Sequence, residues 1–174
     1  MRPPTGGQTS PARIDWLVVL GFLILLGCVN PASSSGKHTQ QTSELPELVA
    51  ILSAEEAKNV VNVCSRSRPE GMSGFFAPSE EEVLEAEGRL IDYLEDAAPP
   101  AIAKRADLYH RQYVGLLFEG RRKLYVNAFL DPFGRARRWR TQFVKICGGG
   151  EDAWGLVYDI EKRAFSSLEV NADL

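Results

Sequence analysis

Residues that could do covalent chemistry are few in this chain of 174 residues, which has three cysteines and two histidines. A cysteine nucleophile needs an adjacent base, and only His110 is available to Cys64 or Cys147 outside the N-terminal segment. Two histidines are also too few for a His-rich zinc site. We therefore predict no catalytic residue, no metal site and no cofactor.

A basic, aromatic segment is the strongest candidate for binding chemistry. It consists of Arg135, Arg137, Arg138, Trp139 and Arg140. Guanidinium groups beside an aromatic ring suit the phosphate groups of anionic lipids, or an acidic partner protein. A solvated loop with Trp139 packed against the body would explain the same residues, and this alternative stays open.

The overall composition excludes one class of function. The formal net charge is -3, and 44% of the residues are hydrophobic. Such a hydrophobic fraction supports a packed core. The acidic balance argues against nucleic-acid binding, which requires many lysines and arginines on one face. The length fits one domain with additional sequence.

An apolar run near the N-terminus, residues 16–27, predicts export. It follows Arg2 and Arg13 and ends in Leu25-Leu26-Gly27-Cys28. The run is shorter than the roughly 20 residues of a spanning helix and has the length of a signal-peptide core. Its end resembles the lipobox of bacterial lipoproteins, which implies a signal peptide over residues 1–27 and acyl chains such as palmitate on Cys28. An ordinary secretory signal and an uncleaved anchor are the alternatives.

The lipoprotein resemblance also implies a location in the bacterial cell envelope, with the membrane as a partner through the lipid anchor. Val29 stands where an aspartate tends to retain lipoproteins at the inner membrane, so the periplasmic face of the outer membrane is favoured. Residues 28–44, which include His38, have the polar, small composition of a flexible tether. The single domain is expected over residues 45–174, with an envelope protein or anionic lipid as its partner.

Lipidation of Cys28 would leave Cys64 and Cys147 as an even pair in an oxidising compartment. We predict a disulfide between these two residues. It would tie the segment before the main helix to the sheet and contribute about 2–4 kcal/mol. Two free buried thiols are the alternative.

Ser79 begins the strongest predicted helix, because Ser79 and Glu82 have the spacing of a capping box. The apolar residues that follow have a period of 3.6 and are Val83, Leu84, Ala86, Leu90, Ile91 and Leu94. Residues 97–100, Ala-Ala-Pro-Pro, end the helix. Glu87 falls inside the apolar stripe, where a carboxylate must be paired, lie at the edge or face a cleft. We favour the edge.

From Tyr109 onward, apolar residues alternate with polar ones, as in strands. The predicted strands are 109–118, 122–130, 141–147, 154–160 and 164–171. The first two form a hairpin across Glu119-Gly120-Arg121. The next two form a second hairpin across residues 148–152. We interpret Gly148-Gly149-Gly150 as a flexible turn, although its backbone N–H groups suit an anion. Residues 45–65 are ambiguous: residues 46–58 could form a helix and residues 60–65 a short buried strand.

These elements predict an α+β fold, in which one main helix packs on a curled antiparallel sheet of about four to five strands. The order resembles that of cystatins, and Gln112-Tyr113-Val114-Gly115 partly matches their Gln-x-Val-x-Gly motif, with Gly115 one residue early. In that family the motif enters the cleft of cysteine proteases. We prefer strand packing for these residues, and an inhibitor of a protease or lysozyme stays as an alternative function.

The body also resembles a family of small secreted bacterial proteins of uncharacterised activity. The residues that carry this resemblance are Arg111-Gln112-Tyr113, Tyr125-Val126-Asn127-Ala128-Phe129, Cys147-Gly148-Gly149-Gly150, Trp154 and Tyr158-Asp159. The resemblance implies no activity. The sequence therefore predicts a membrane-anchored, non-enzymatic binding or structural module, with an enzyme whose site is unrecognised as a further alternative.

Overall fold

The computed structural model describes residues 44–131, 134 and 136–173, in which six strands form one open, mixed sheet. The strands are β1 (Val49–Ile51), β2 (Met72–Phe76), β3 (His110–Phe118), β4 (Arg121–Phe129), β5 (Ala153–Asp159) and β6 (Ala164–Val170). β1 pairs in parallel with β3, and the other pairs are antiparallel. The order is β1-β3-β4-β5-β6, with β2 also on β3. The predicted α+β class is confirmed, with more strands than expected.

The helices are α1 (Ala54–Ala57), α2 (Glu80–Ala97) and α3 (Pro100–Ala103). Short 3-10 helices cover Lys58–Asn62, Ala106–Leu108 and Gly150–Asp152. α2 begins as predicted, because the Ser79 hydroxyl accepts a hydrogen bond from the Glu82 backbone and the Glu82 carboxylate accepts one from the Ser79 backbone. No helix in the described part of the chain has the length and apolar character needed to cross a membrane.

The alternation of side chains along the strands gives the sheet two covered faces. On the first face, Tyr113, Val126 and Leu156 are among the buried residues that pack with the apolar side of α2. On the second face, Val114 and Tyr125 pack with residues that precede β2 and with Phe143. Both faces therefore contribute to the core, and α2 covers only the first.

Two strand predictions were wrong. Residues 141–147 have no strand, so the second hairpin does not form, and residues 58–62 are a 3-10 helix where a strand at 60–65 was one expectation. Residues 141–147 lie over the second face of the sheet. There, the Gln112 side chain donates to the carbonyl of Gln142 over 2.7 Å, and that of Asn127 donates to the carbonyl of Val144 over 2.9 Å. These carbonyls bond to side chains beneath them rather than to a neighbouring strand.

The predicted disulfide between Cys64 and Cys147 is present, with 5.3 Å between the two Cα atoms. The backbone N–H of Gly148 also donates to the Ser65 hydroxyl over 2.9 Å. Asn171 donates to the carbonyls of Ile146 and Gly148. The disulfide and these bonds hold the segment before β2 against the loop before β5. The predicted signal peptide, Cys28 and His38 lie outside the described residues.

Candidate functional site

A row of aligned residues crosses the second face of the sheet. Gln112 on β3 pairs with Asn127 on β4, Asn127 pairs with Gly155 on β5, and Gly155 pairs with Glu169 on β6. The Asn127 amide donates to the Gln112 side chain over 2.9 Å, and both side chains are buried. Buried amides need hydrogen-bond partners. The two bonded side chains therefore form a fixed polar strip on an otherwise apolar face of the sheet.

Arg66 lies over this row with 8% of its surface exposed. Its Nη2 donates to Asn127 Oδ1 over 2.7 Å, and its guanidinium carbon lies 5.8 Å from the centre of the Tyr125 ring. Nε and Nη1 have no hydrogen-bond partner among the described residues. Burial lowers the pKa of the Arg66 guanidinium, against smaller opposing effects of Tyr125 and Glu169. Arginine nevertheless stays protonated in proteins, so a positive charge is buried here with one hydrogen bond.

The unpartnered Arg66 Nη1 and the Tyr125 hydroxyl both lie close to Gly155. A Cβ atom on Gly155 would lie 2.5 Å from Arg66 Nη1 and 2.1 Å from the Tyr125 hydroxyl oxygen. A side chain at this position would therefore displace both groups. A glycine inside a strand is a sequence signal of such close approach, and the predictions above did not use it.

A cavity of about 370 Å³ adjoins these residues. Residues 67–70 form one wall, and strand residues that include Tyr125 and Gly155 form the opposite one. The backbone N–H of Ser67 donates to Glu169 over 2.7 Å, which fastens that wall to β6. We refer to this space as the Arg66 cavity.

The Arg66 cavity has mixed charge and an apolar side. Arg68 and Lys123 line it together with Glu70 and Glu169, and Lys123 Nζ lies 3.6 Å from the Asp159 carboxylate outside it. Its apolar surface comes from Phe118, Val157 and the Tyr125 ring. The cavity therefore offers charged groups of both signs beside a surface on which a hydrocarbon group can pack.

The arginines of the predicted basic segment differ in whether their side chains contact the rest of the domain. Arg137 and Arg138 are exposed, and the described residues form no ion pair with either. Arg140 instead donates to the carbonyls of Val49 and Glu47, and its guanidinium carbon lies 4.4 Å from the centre of the Trp139 ring. Arg135 lies outside the described residues.

His110 and Glu87, the ionisable residues singled out in the sequence, lie away from the Arg66 cavity. His110 stacks on Phe129 at 5.3 Å and contacts the edge of Trp139. The expected edge position of Glu87 was wrong, because its side chain is 11% exposed and paired with Arg111. Both residues are thus part of the packed structure.

Among the residues that the structure describes, no group of three histidine, cysteine or carboxylate side chains could hold a metal ion. A comparison of the chain with models of protein families gave no match. Comparisons with curated proteins and with solved structures also gave none. The Arg66 cavity and the exposed arginines are therefore the features from which a function can be argued.

Proposed function

We propose that this protein is a membrane-anchored envelope lipoprotein whose domain is a non-enzymatic binding module, with the Arg66 cavity as its binding site. The observation that carries the binding role is the pair of unpartnered guanidinium nitrogens of Arg66, which are closed to solvent. They lie behind a cavity that the neighbouring residues Ser67, Tyr125 and Gly155 line. Nearly all buried polar groups in proteins have partners. A buried guanidinium that lacks hydrogen-bond acceptors and lies near a cavity is therefore a group to which a ligand can supply an acceptor.

The residues of the cavity favour binding over catalysis. Ser67, Ser166 and Ser167 supply hydroxyl groups, and a serine nucleophile needs a base within hydrogen-bond reach. His110, the histidine of the domain, is packed between Phe129 and Trp139 instead. The cavity thus has groups that recognise a ligand, without the pairing of serine and histidine that attack on a ligand requires.

The proposed location rests on the lipobox-like residues 25–28 and gains support from the disulfide. Disulfides persist in oxidising compartments such as the bacterial periplasm and are rare in the cytosol. The link between Cys64 and Cys147 suits a domain exported behind a signal peptide. Several acyl chains on one cysteine would give stable attachment.

Nothing in the geometry favours the alternative of a hydrolase inhibitor. Gln112 is fully buried, and its amide is bonded to backbone groups of residues 139, 142 and 144. It lies near the start of β3, at the opposite end from the β3–β4 turn at Glu119 and Gly120. It is therefore not free to enter a protease cleft in the way that the cystatin motif does.

The anchor is tested by expressing the full chain in a Gram-negative bacterium and fractionating the membranes. Mass spectrometry of the mature N-terminus should find a diacylglyceryl group on Cys28. The Cys28→Ser chain should lack the modification and leave the membrane fraction. An unmodified, soluble wild-type product would refute the anchor.

The binding role is tested with the full chain in detergent micelles, by thermal unfolding with separate probe classes: monocarboxylates, inorganic phosphate, alkylamines and monosaccharides. At least one class should raise the melting temperature of the wild type. Ser166→Trp, which fills the cavity from β6, should abolish that rise, whereas Lys162→Trp in the β5–β6 turn should keep it. If no class stabilises the wild type, or if Ser166→Trp responds equally, the cavity is not the binding site.

A further inference from the structure

We infer that the Arg66 cavity takes a small organic monocarboxylate, whose carboxylate bonds to Arg66 Nη1 and the Tyr125 hydroxyl while its hydrocarbon part packs on Phe118 and Val157. This inference rests on the proposed binding role of the cavity and specifies its ligand.

Two arginines are buried in the part of the chain that the structure describes, Arg66 and Arg111, and their partners differ. Arg111 donates to both carboxylate oxygens of Glu87, over 2.8 and 3.0 Å, and its Nη1 donates to two backbone carbonyls. Arg66 has one bond, to the neutral side chain of Asn127, and forms no ion pair within the described chain. Because charge-assisted bonds to an anionic oxygen are about twice as strong as neutral ones, an anionic acceptor such as a carboxylate is the group that Arg66 lacks.

Tyr125 supplies a second donor at the same point. Burial raises the pKa of the Tyr125 phenol, while Arg66 lowers it by a smaller amount. The phenol is therefore neutral at physiological pH and keeps its proton for donation. Because Gly155 has no side chain, the phenol and Nη1 converge in the space where a Cβ atom would lie. Nη1 is itself closed to solvent, so side chains at the cavity wall must shift for the carboxylate to reach it.

The charge and size of the cavity favour a monocarboxylate over a phosphate. Glu70 and Glu169 line the same space and would repel a dianion more strongly than a single negative charge. Lys123, one of the two lining cations, already lies near Asp159. A volume of about 370 Å³ is at the small end of ligand sites. The ligand is therefore small, singly charged and partly apolar.

The test uses calorimetric titration of the full chain in detergent micelles with butyrate, hexanoate and 3-phenylpropionate, each beside its own neutral amide, and with inorganic phosphate. At least one acid should bind at least about tenfold more tightly than its amide, because the amide cannot form the charge-assisted bond. Phosphate should bind more weakly than that acid. If every acid equals its amide, or if phosphate binds best, the inference is overturned.

Variants distinguish the proposed contact from binding elsewhere. Tyr125→Phe keeps the ring and should weaken binding of the acid about tenfold, and Arg66→Met should abolish it. Arg163→Gln, which removes a cation that pairs with Glu85, should bind the acid as the wild type does. Wild-type affinity in Tyr125→Phe would refute the contact even if Arg66→Met failed to fold. If no acid binds but another probe class still raises the melting temperature of the wild type, the inferred ligand is wrong. The proposed binding role is then retained with a different class of ligand.

Discussion

Arg111 on β3 and Glu87 on α2 form a bidentate ion pair. Arg111 Nε lies 2.8 Å from Glu87 Oε1, and Arg111 Nη2 lies 3.0 Å from Glu87 Oε2. The Tyr113 hydroxyl donates to Oε1 over 2.6 Å. Burial and the Glu87 carboxylate raise the pKa of Tyr113 well above its usual value, so it stays a donor. The helix and the sheet are therefore held together by a polar contact as well as by apolar packing.

Glu87→Ala should lower the free energy of unfolding by about 3–5 kcal/mol, because removing one partner leaves a buried charge uncompensated. Glu81→Ala, at an exposed position on the same helix, should change it by less than about 0.5 kcal/mol. Chemical denaturation of both variants at neutral pH measures the difference. Equal stabilities would show that the Arg111 charge is solvated rather than buried.

The position of Glu87 shows where prediction from the sequence stops. Its place in an apolar stripe predicted that the carboxylate is paired, lies at the edge of the stripe or faces a cleft. Arg111, its partner, lies 24 residues away in another element. The choice among the three depends on how α2 sits on the sheet, and helical periodicity carries no information on that packing.

The strand predictions failed for a related reason. The β3–β4 hairpin and the start and end of α2 were confirmed, because turn and capping signals act between neighbouring residues. Residues 141–147 alternate like a strand, but the alternation comes from packing on the second face, where Phe143 is buried. The Arg66 cavity was missed because Arg66, Tyr125 and Gly155 come from three separate segments.

Loss of the disulfide should destabilise the domain strongly. The bond closes a loop with a sequence separation of 83, for which the chain-entropy estimate is about 4.5 kcal/mol. The double variant Cys64→Ser/Cys147→Ser should lose an amount of this order in chemical denaturation, and the Cys28→Ser chain should lose none. A loss below about 1 kcal/mol in the double variant would mean that the bonds of Ser65 and Asn171 suffice to hold the two segments.

Two glycines should respond to alanine in opposite directions. At Gly115 a Cβ atom would lie 2.5 Å from the backbone oxygen of Phe76, so Gly115→Ala should push β2 away and cost about 1–3 kcal/mol. At Gly88, within α2, a Cβ atom would meet nothing within 4 Å. Gly88→Ala should therefore stabilise the protein by about 1 kcal/mol. Thermal unfolding of the two variants compares them directly, and a stabilised Gly115→Ala would show that β2 is loosely attached.

His110 should make the stability depend on pH. Burial lowers the pKa of its imidazole, as do the nearby charges of Arg140 and Arg111 to a lesser degree, whereas Asp131 and a backbone bond to Phe129 raise it. A base with a lowered folded-state pKa stabilises the folded state fully above the unfolded value of about 6.5. That contribution declines as the pH falls through the folded-state pKa.

Acidification from pH 7.5 to pH 5 should accordingly destabilise the wild type more than the His110→Gln variant, and NMR titration of the imidazole should give a pKa below 6.5. Glu-to-Gln changes at distant exposed sites should leave the difference between the two chains unaltered. A titration midpoint above 6.5 would reverse the sign of the effect and contradict the packing of His110 against Phe129 and Trp139.

The exposed arginines of the basic segment should bind anionic lipid if that segment is a second contact surface. Each cation near an anionic bilayer contributes about 1 kcal/mol. The double variant Arg137→Gln/Arg138→Gln should therefore bind vesicles containing phosphatidylglycerol roughly 30-fold more weakly than its parent. The parent is the Cys28→Ser chain, so that acyl chains do not mask the effect.

Lys104→Gln/Lys162→Gln is the matched control, because it removes two other exposed charges and leaves the basic segment intact. Vesicle sedimentation should show near-parental binding for this control, and loss of binding for the parent at high salt, where surface charges are screened. If the arginine and lysine variants lose affinity equally, the attraction is a property of the whole surface. The basic segment would then be a solvated loop, tied to the body by Arg140.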